Sequence, residues 1–352
     1  MSNEDRPRPV LRQFLAAAAP HDAVTNQALA LQEELRARGV RSSIVAEHVH
    51  DSLSAHVERL RPDRVPRGPV LLRYSIWSKA AQAALDSATS LGVIYHNITP
   101  PDLVARSNPA IAALCSRARR ELPRIIESSD LLIADSTFNA DELRGLGARD
   151  VRVVPLLLDI TWCPISQDAP REDVLFVGRI APNKRIEDLI DAAILLRRHY
   201  LPGARLRIAG SPAAFPGYRE ALGNRVADFE AHDSVEFLGE LSDAARDHEF
   251  KHAGAYLSMS EHEGFCVPIL EAMGHGVPVV ARDAGAVRET AGGAALLLPS
   301  RDPLLAAAAL ARVLTDPDVR RGLSANAARR LQALDRQTVG QALVDALEGI
   351  LS

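Results

Sequence analysis

The sequence predicts an α/β protein made of two Rossmann-like domains, each on a doubly wound parallel sheet, with the sheets facing a central cleft. Three observations lead there. Short β-type runs alternate with longer helical patterns through almost the whole chain, as parallel strands joined by crossover helices require. The alternation breaks once, from Pro155 to Arg171, where three prolines and a lone Trp stand in a stretch without periodicity. The length, 352 residues, exceeds most single compact cores and suits two domains of ordinary size.

Taken in order, the first series places strands near Leu11–Ala18, Ser43–Glu47, Val70–Tyr74, Val93–Tyr95, Leu131–Ala134 and Val151–Val154. Between the first two, Ala23–Arg38 reads as a helix because Ala28, Leu31 and Leu35 share one stripe, and Gly39 stands where a C-cap wants it. After the break, a second series begins at Val174–Val177 and continues near Arg205–Ala209, Val235–Leu238, Ala255–Ser258, Val277–Ala281 and Ala295–Leu298. Helical segments over roughly 302–315, 317–333 and 336–351 close the chain. No repeat of fixed period interrupts this order.

Composition narrows the function classes. Apolar residues make up 47% and charged residues 24%, the balance of a soluble globular protein. A formal net charge of −4 argues against wholesale nucleic-acid binding, which leaves a basic footprint. The polar start, MSNEDRPRP, lacks the apolar run of a signal peptide, and no stretch reaches the roughly 18 apolar residues that spanning a bilayer takes. Cys115, Cys163 and Cys266 are odd in number and show no CxxC spacing, so a reducing, cytoplasmic setting without disulfides or structural zinc is expected.

Two segments carry the chemistry. The first is Glu261 to Met273, EHEGFCVPILEAM, which follows a predicted strand and enters an apolar helix with Pro268 in its first turn. Its loop, Gly264, Phe265, Cys266 and Val267, then aims free backbone N–H groups and the positive end of a helix dipole toward the cleft, an arrangement suited to phosphate. Glu263 stands just before the helix and Glu271 one turn inside, and a carboxylate accepts paired sugar or ribose hydroxyls well. The second segment is VGRIAPNKRIEDLI, Val177 to Ile190, with Arg179 past a strand's carboxyl end and Lys184 near the next helix start. Two cations on one rim neutralise a diphosphate and stabilise the charge that grows as a nucleotide leaves, so no metal is needed. No DxD-type metal motif occurs in either segment.

These segments, with LRIAGS, VEFLGELSD and YLSMSEHEGFCVPILEAMGHGVPVVARDAGAVRE in the same order, resemble the retaining glycosyltransferases of family 4, which have the GT-B architecture. The resemblance implies domains of 1–157 for the acceptor and 158–335 for the nucleotide-sugar, with 336–352 a helix crossing back to the first. Glu263 and Glu271 reproduce the family's E-x7-E spacing. By the resemblance, Glu271 holds the ribose, Glu263 the transferred sugar, and Arg179 with Lys184 the diphosphate. The N–H groups of Phe265, Cys266 and Val267 serve the sugar and phosphates, and Glu240 with Leu241 lie near the base. In YHNITP, Tyr95 to Pro100, His96 resembles the residue that reaches across to the donor sugar. APHDAVTNQALAL resembles the first strand-to-helix loop but lacks its usual glycines, and Cys266 stands where the family typically has glycine.

The implied activity is metal-independent, retaining transfer of a hexosyl group from a UDP- or GDP-sugar to a hydroxyl of a glycan, lipid-linked or natural-product acceptor. Alternatives are a nucleotide-sugar epimerase of the same fold and a catalytically inactive nucleotide-sugar-binding partner subunit. His248–His252 spells HEFKH, formally a zincin motif, without a third ligand at a recognisable spacing. Arg117, Arg120 and Arg124 share a helix face, which is either solvated or meets an anionic acceptor or the inner membrane surface. Cys266, beside a helix N-terminus, is a candidate for a lowered thiol pKa.

Overall fold

The structure is a computed structural model and describes residues 10–160, 162–163 and 171–351. The polar N-terminal stretch and residues 164–170 of the predicted linker lie outside the described residues. In chain order the elements are β1 (Leu11–Ala18), α1 (Ala23–Ala37), β2 (Ser42–Val49), β3 (Glu58–Arg59), β4 (Gly68–Tyr74), α2 (Lys79–Ser87), β5 (Ala88–Tyr95), α3 (Pro109–Ser128), β6 (Leu131–Ala134), α4 (Thr137–Gly145) and β7 (Arg152–Val153). There follow β8 (Val174–Val177), α5 (Ile186–His199), β9 (Leu206–Ala209), α6 (Pro216–Asp228), β10 (Val235–Gly239), α7 (Asp243–His252), β11 (Ala255–Ser258) and α8 (Val267–Gly274). The chain ends with β12 (Val279–Arg282), α9 (Val287–Ala291), β13 (Ala295–Leu298), α10 (Pro303–Thr315), α11 (Pro317–Ala333) and α12 (Arg336–Leu351).

The chain divides into two compact units. The first holds the described residues of Met1–Thr99, Ala113–Asp159 and Leu334–Ser352, and the second holds Pro100–Ala112 and those of Ile160–Ala333. The first unit has a seven-stranded sheet, order β3-β2-β1-β4-β5-β6-β7, and every neighbouring pair is parallel. Its central strands are buried on both faces: Val70 to Tyr74 of β4 are all buried, as parallel strands under helices on both sides must be. Leu343, Leu347 and Ile350 of α12 pack into this core against Leu71, Ile94 and Ile133, and Arg336 pairs with Glu33 and Glu34 of α1.

The second unit has a six-stranded parallel sheet, order β10-β9-β8-β11-β12-β13, the doubly wound order whose direction reverses between β8 and β11. Its core joins Phe176 of β8, Leu189 and Ile190 of α5, Ile208 of β9, Leu257 of β11 and Leu310 of α10. Residues 100–112, expected in the first domain, cluster with this unit instead. The reason is local: Val104 and Ala112 pack on Ala181 and Phe215, and the Asn108 side chain donates to the Ala214 carbonyl at 2.9 Å.

Candidate active site

The reversal point of the second sheet brings the two segments singled out from sequence into contact. The loop leaving β8 carries Lys184, and the loop leaving β11 carries Glu263. The Lys184 ammonium donates to Glu263 Oε1 at 2.7 Å, with side-chain exposures of 16% and 8%. Just before them, the Glu261 N–H donates to the Asn183 carbonyl at 2.8 Å, so backbone and side chain both tie the loops together. Gly285 lets a third loop approach: its φ is +58°, and a Cβ there would lie 2.3 Å from the Glu263 carbonyl oxygen. The same oxygen accepts from the Ala286 N–H at 2.9 Å. Burial pushes the Glu263 carboxyl upward. The Lys184 charge and hydrogen bonds from Lys184, Ser260 and Cys266 outweigh it, and the group is held below its ordinary value.

Helix α8 starts at Val267 with Pro268 in its first turn, and its cap residue, Cys266, makes no side-chain cap bond. The N-terminal N–H groups of this helix therefore face the loop that holds Glu263 without an answering cap side chain. Cys266 has φ +71°, a left-handed conformation that costs an L-residue with a Cβ about 1–2 kcal/mol. This explains in physical terms why glycine would suit the position. The thiol itself is not activated: burial, and then the Glu263 charge, push it well above its usual value, which corrects the expectation of a lowered pKa. Its S–H donates to the Glu263 carboxylate. Phe265 is buried, its carbonyl accepting from the Thr290 hydroxyl, while Gly264 is half-buried.

Glu271 lies inside α8, half-buried, with Arg246 of α7 3.4 Å from Oε1. The His275 ring is fixed by the Glu271 carbonyl at 2.8 Å, by Asp247 at 2.8 Å and by stacking on Phe250. Arg179 follows β8 and is exposed, and among the described residues its guanidinium makes no hydrogen bond or ion pair. Gly210 keeps this strand end open to its neighbour, since a Cβ on it would lie 1.7 Å from the Gly178 carbonyl oxygen. Glu240, exposed, and Leu241, half-buried, follow β10. Lys184, Glu263 and Cys266 thus stand in direct contact, and Glu271 extends from the same helix.

The HEFKH residues lie on α7. Glu249 accepts from Arg207 at 2.6 and 2.8 Å, and the His252 Nδ1 faces the His248 carbonyl. Among the described residues, no group of three or more His, Cys, Asp and Glu is placed to hold a metal ion. On α3, Arg117 stacks on Trp77 at 3.6 Å and pairs with Glu121, while Arg120 and Arg124 are exposed. Among the described residues no helix is long and apolar enough to cross a membrane.

In the first unit, His96 follows β5 with its imidazole buried. Nδ1 lies 2.7 Å from Asp135 Oδ2, just past β6, and Nε2 lies 3.5 Å from Arg73 Nη1 on β4. Arg73 is 2% exposed and donates to Gln13 at 3.1 and 2.8 Å and to Gln27. Burial lowers its pKa to about 9, partly offset by Asp135 and Asp22, so it stays charged near neutral pH. Sequence reading missed Arg73, Asp135 and Gln13. The polar step from Ala134 to Asp135 at a strand end was the one available signal.

The sequence profile of the family described as glycosyl transferases group 1 matches residues 165–330. A D-inositol 3-phosphate glycosyltransferase of Kineococcus radiotolerans is 30% identical over 253 residues, 63% of this chain and 58% of that protein. A GDP-mannose-dependent alpha-mannosyltransferase of Mycolicibacterium smegmatis is 28% identical over 327 residues, 81% of this chain and 80% of that one. The chain therefore spans little more than half the length of the first of these relatives. Among solved structures, Anabaena HepE in complex with UDP and glucose superposes with a TM-score of 0.77 at 19% identity, covering 97% of this chain and all of that one, 100%. The sucrose-phosphate synthase of Thermosynechococcus elongatus gives a TM-score of 0.77 at 19% identity, with 96% and 98% covered. These likenesses fix the fold as GT-B. Over residues 165–330, the chain is similar to the group 1 glycosyltransferases.

Proposed function

We propose that the protein is a retaining glycosyltransferase that moves a hexosyl group from a UDP- or GDP-sugar to a hydroxyl of a glycan, lipid-linked or small-molecule acceptor, without a metal ion. The observation that carries this reading is the meeting of Lys184 with Glu263 at the reversal point of the second sheet, beside the uncapped start of α8. Doubly wound sheets bind nucleotides at that point. A diphosphate placed there meets a lysine, helix N–H groups and the exposed Arg179 of the same loop. A relative named for GDP-mannose and a fold neighbour holding UDP and glucose support a nucleotide-sugar donor.

In this reading Arg179, Lys184 and the α8 terminus stabilise the leaving diphosphate, and the departing phosphate oxygen takes the acceptor's proton on the same face. Glu263 contacts the sugar, Glu271 the ribose, the N–H groups of Phe265, Cys266 and Val267 the sugar and phosphates, and Glu240 with Leu241 the base. His96 serves the donor sugar. A thermal-shift screen of UDP-, GDP- and ADP-sugars names the donor. With that donor, Glu271→Ala is expected to weaken binding, and Lys184→Ala to slow transfer by about a hundredfold, more than it weakens binding. Wild-type kinetics in both variants would sink the assignment.

A further inference from the structure

His96 is held from two sides at the ends of three adjacent strands. A ring nitrogen 2.7 Å from a carboxylate oxygen carries the hydrogen, and a ring nitrogen facing a guanidinium presents its lone pair. The partners therefore assign the Nδ1–H tautomer.

This arrangement is expensive. Arg73 is buried with no carboxylate within ion-pair distance among the described residues, its charge facing the side-chain carbonyls of Gln13 and Gln27. Asp135 is 2% exposed, and its Oδ1 is buried without a hydrogen-bond partner among the described residues. Apolar residues of similar volume would build the same sheet core at lower cost. Just beyond the ring, Asn97 turns the chain with φ +70° and anchors on Asn139 at 2.9 Å and Glu142 at 3.1 Å.

We infer that Asp135 and Arg73 are positioning residues: they clamp the His96 ring as its Nδ1–H tautomer across the ends of β4, β5 and β6, and so fix the His96–Asn97 turn for the donor sugar. The inference rests on the function proposed above for its catalytic half, while the clamp itself stands on the geometry alone.

A double-mutant cycle on the full chain tests the role. Asp135→Asn is expected to lower kcat about tenfold with the donor KM within about twofold, and His96→Gln to lower it at least as much. The double variant should be no slower than His96→Gln, because Asp135 acts only through the ring. Multiplying losses, or an Asp135→Asn enzyme as fast as wild type, overturn the role in transfer. Nitrogen-15 NMR of histidine-labelled wild type and Arg73→Lys near neutral pH tests the clamp. A His96 ring with hydrogen on Nδ1 supports it, and hydrogen on Nε2 in the wild type overturns it. If the wild type turns over no nucleotide-sugar, the proposed function fails while the ring spectrum still decides the clamp.

Discussion

Lys184 sets the protonation balance of Glu263, and stability should reveal it. The folded pKa of Glu263 is lowered, so the group stabilises the fold above the unfolded carboxylate value of about 4.3. That contribution is lost as pH falls through the folded value. In Lys184→Ala the largest positive influence is gone and burial pushes the group upward instead. The variant should lose about 3 kcal/mol near neutral pH, the scale of breaking a buried pair, and the gap should narrow toward about pH 4 as Glu263 takes a proton. Urea unfolding at both pH values measures this, and a gap independent of pH would contradict the pairing. The thiols give a second test at this scale. Cys115 and Cys266 are buried, and Cys163 is exposed. An aromatic disulfide reagent should titrate the Cys163 thiol quickly in the native protein and the other two only in denaturant, and rapid reaction of Cys266 would refute its shielded placement. Sequence exposed the types and spacing of these residues, but not their pairing. Arg73 shows why: it stands in a run, Val70 to Tyr74, buried on both faces, where strand alternation gives no sign of which way a polar side chain turns.

Elements were read most securely where apolar runs were continuous. β1, β8, β11 and β13 fall where their runs predict, and α10 to α12 follow the 3.6-residue pattern to within a residue or two. β5 begins earlier than expected, at Ala88, because its first residues pair with β4 while carrying little apolar character. β12 begins later than expected, since Pro278 lacks the N–H a ladder needs. The two-residue β3, Glu58–Arg59, has exposed side chains and no apolar signal at all. The left-handed cap of α8 was equally hidden, because cysteine does not announce a positive φ. Gly285 is the element-scale counterpart: it joins the loop before α9 to the Glu263 backbone, where a Cβ meets the carbonyl oxygen at 2.3 Å. Gly285→Ala adds that clash to a strained φ, and should cost about 2–4 kcal/mol and displace Glu263, lowering nucleotide-sugar affinity as well as melting temperature. An alanine variant of wild-type stability and affinity would show that this close approach does not matter.

At the scale of the molecule, the chain folds as two units with separate sheets and cores, and the polypeptide passes between them more than once: 100–112 clusters with the second, 334–352 with the first. The alternating pattern and the break near 155–171 made two sheets legible. The placement of 100–112 was not, because it depends on Val104 and Asn108 finding partners around Ala181 and Ala214, a hundred residues away in no local pattern. Two separate cores give a ligand of one unit a local effect. A ligand that binds the native state stabilises by RT ln(1 + [L]/Kd), about 2.7 kcal/mol at a hundredfold excess over Kd, and the gain concentrates where opening exposes its contacts. A nucleoside diphosphate without its sugar should therefore slow amide hydrogen exchange chiefly around 178–186 and 259–271 of the second unit. Residues 95–98 of the first unit, around the His96 that the proposed function gives to the sugar, should change little until the intact nucleotide-sugar is added. Exchange mapped by mass spectrometry with UDP or GDP, and then with the sugar donor, separates these steps. Protection by the bare nucleotide around 95–98 with none around 259–271 would move the nucleotide site to the other sheet and remove Lys184 from the chemistry.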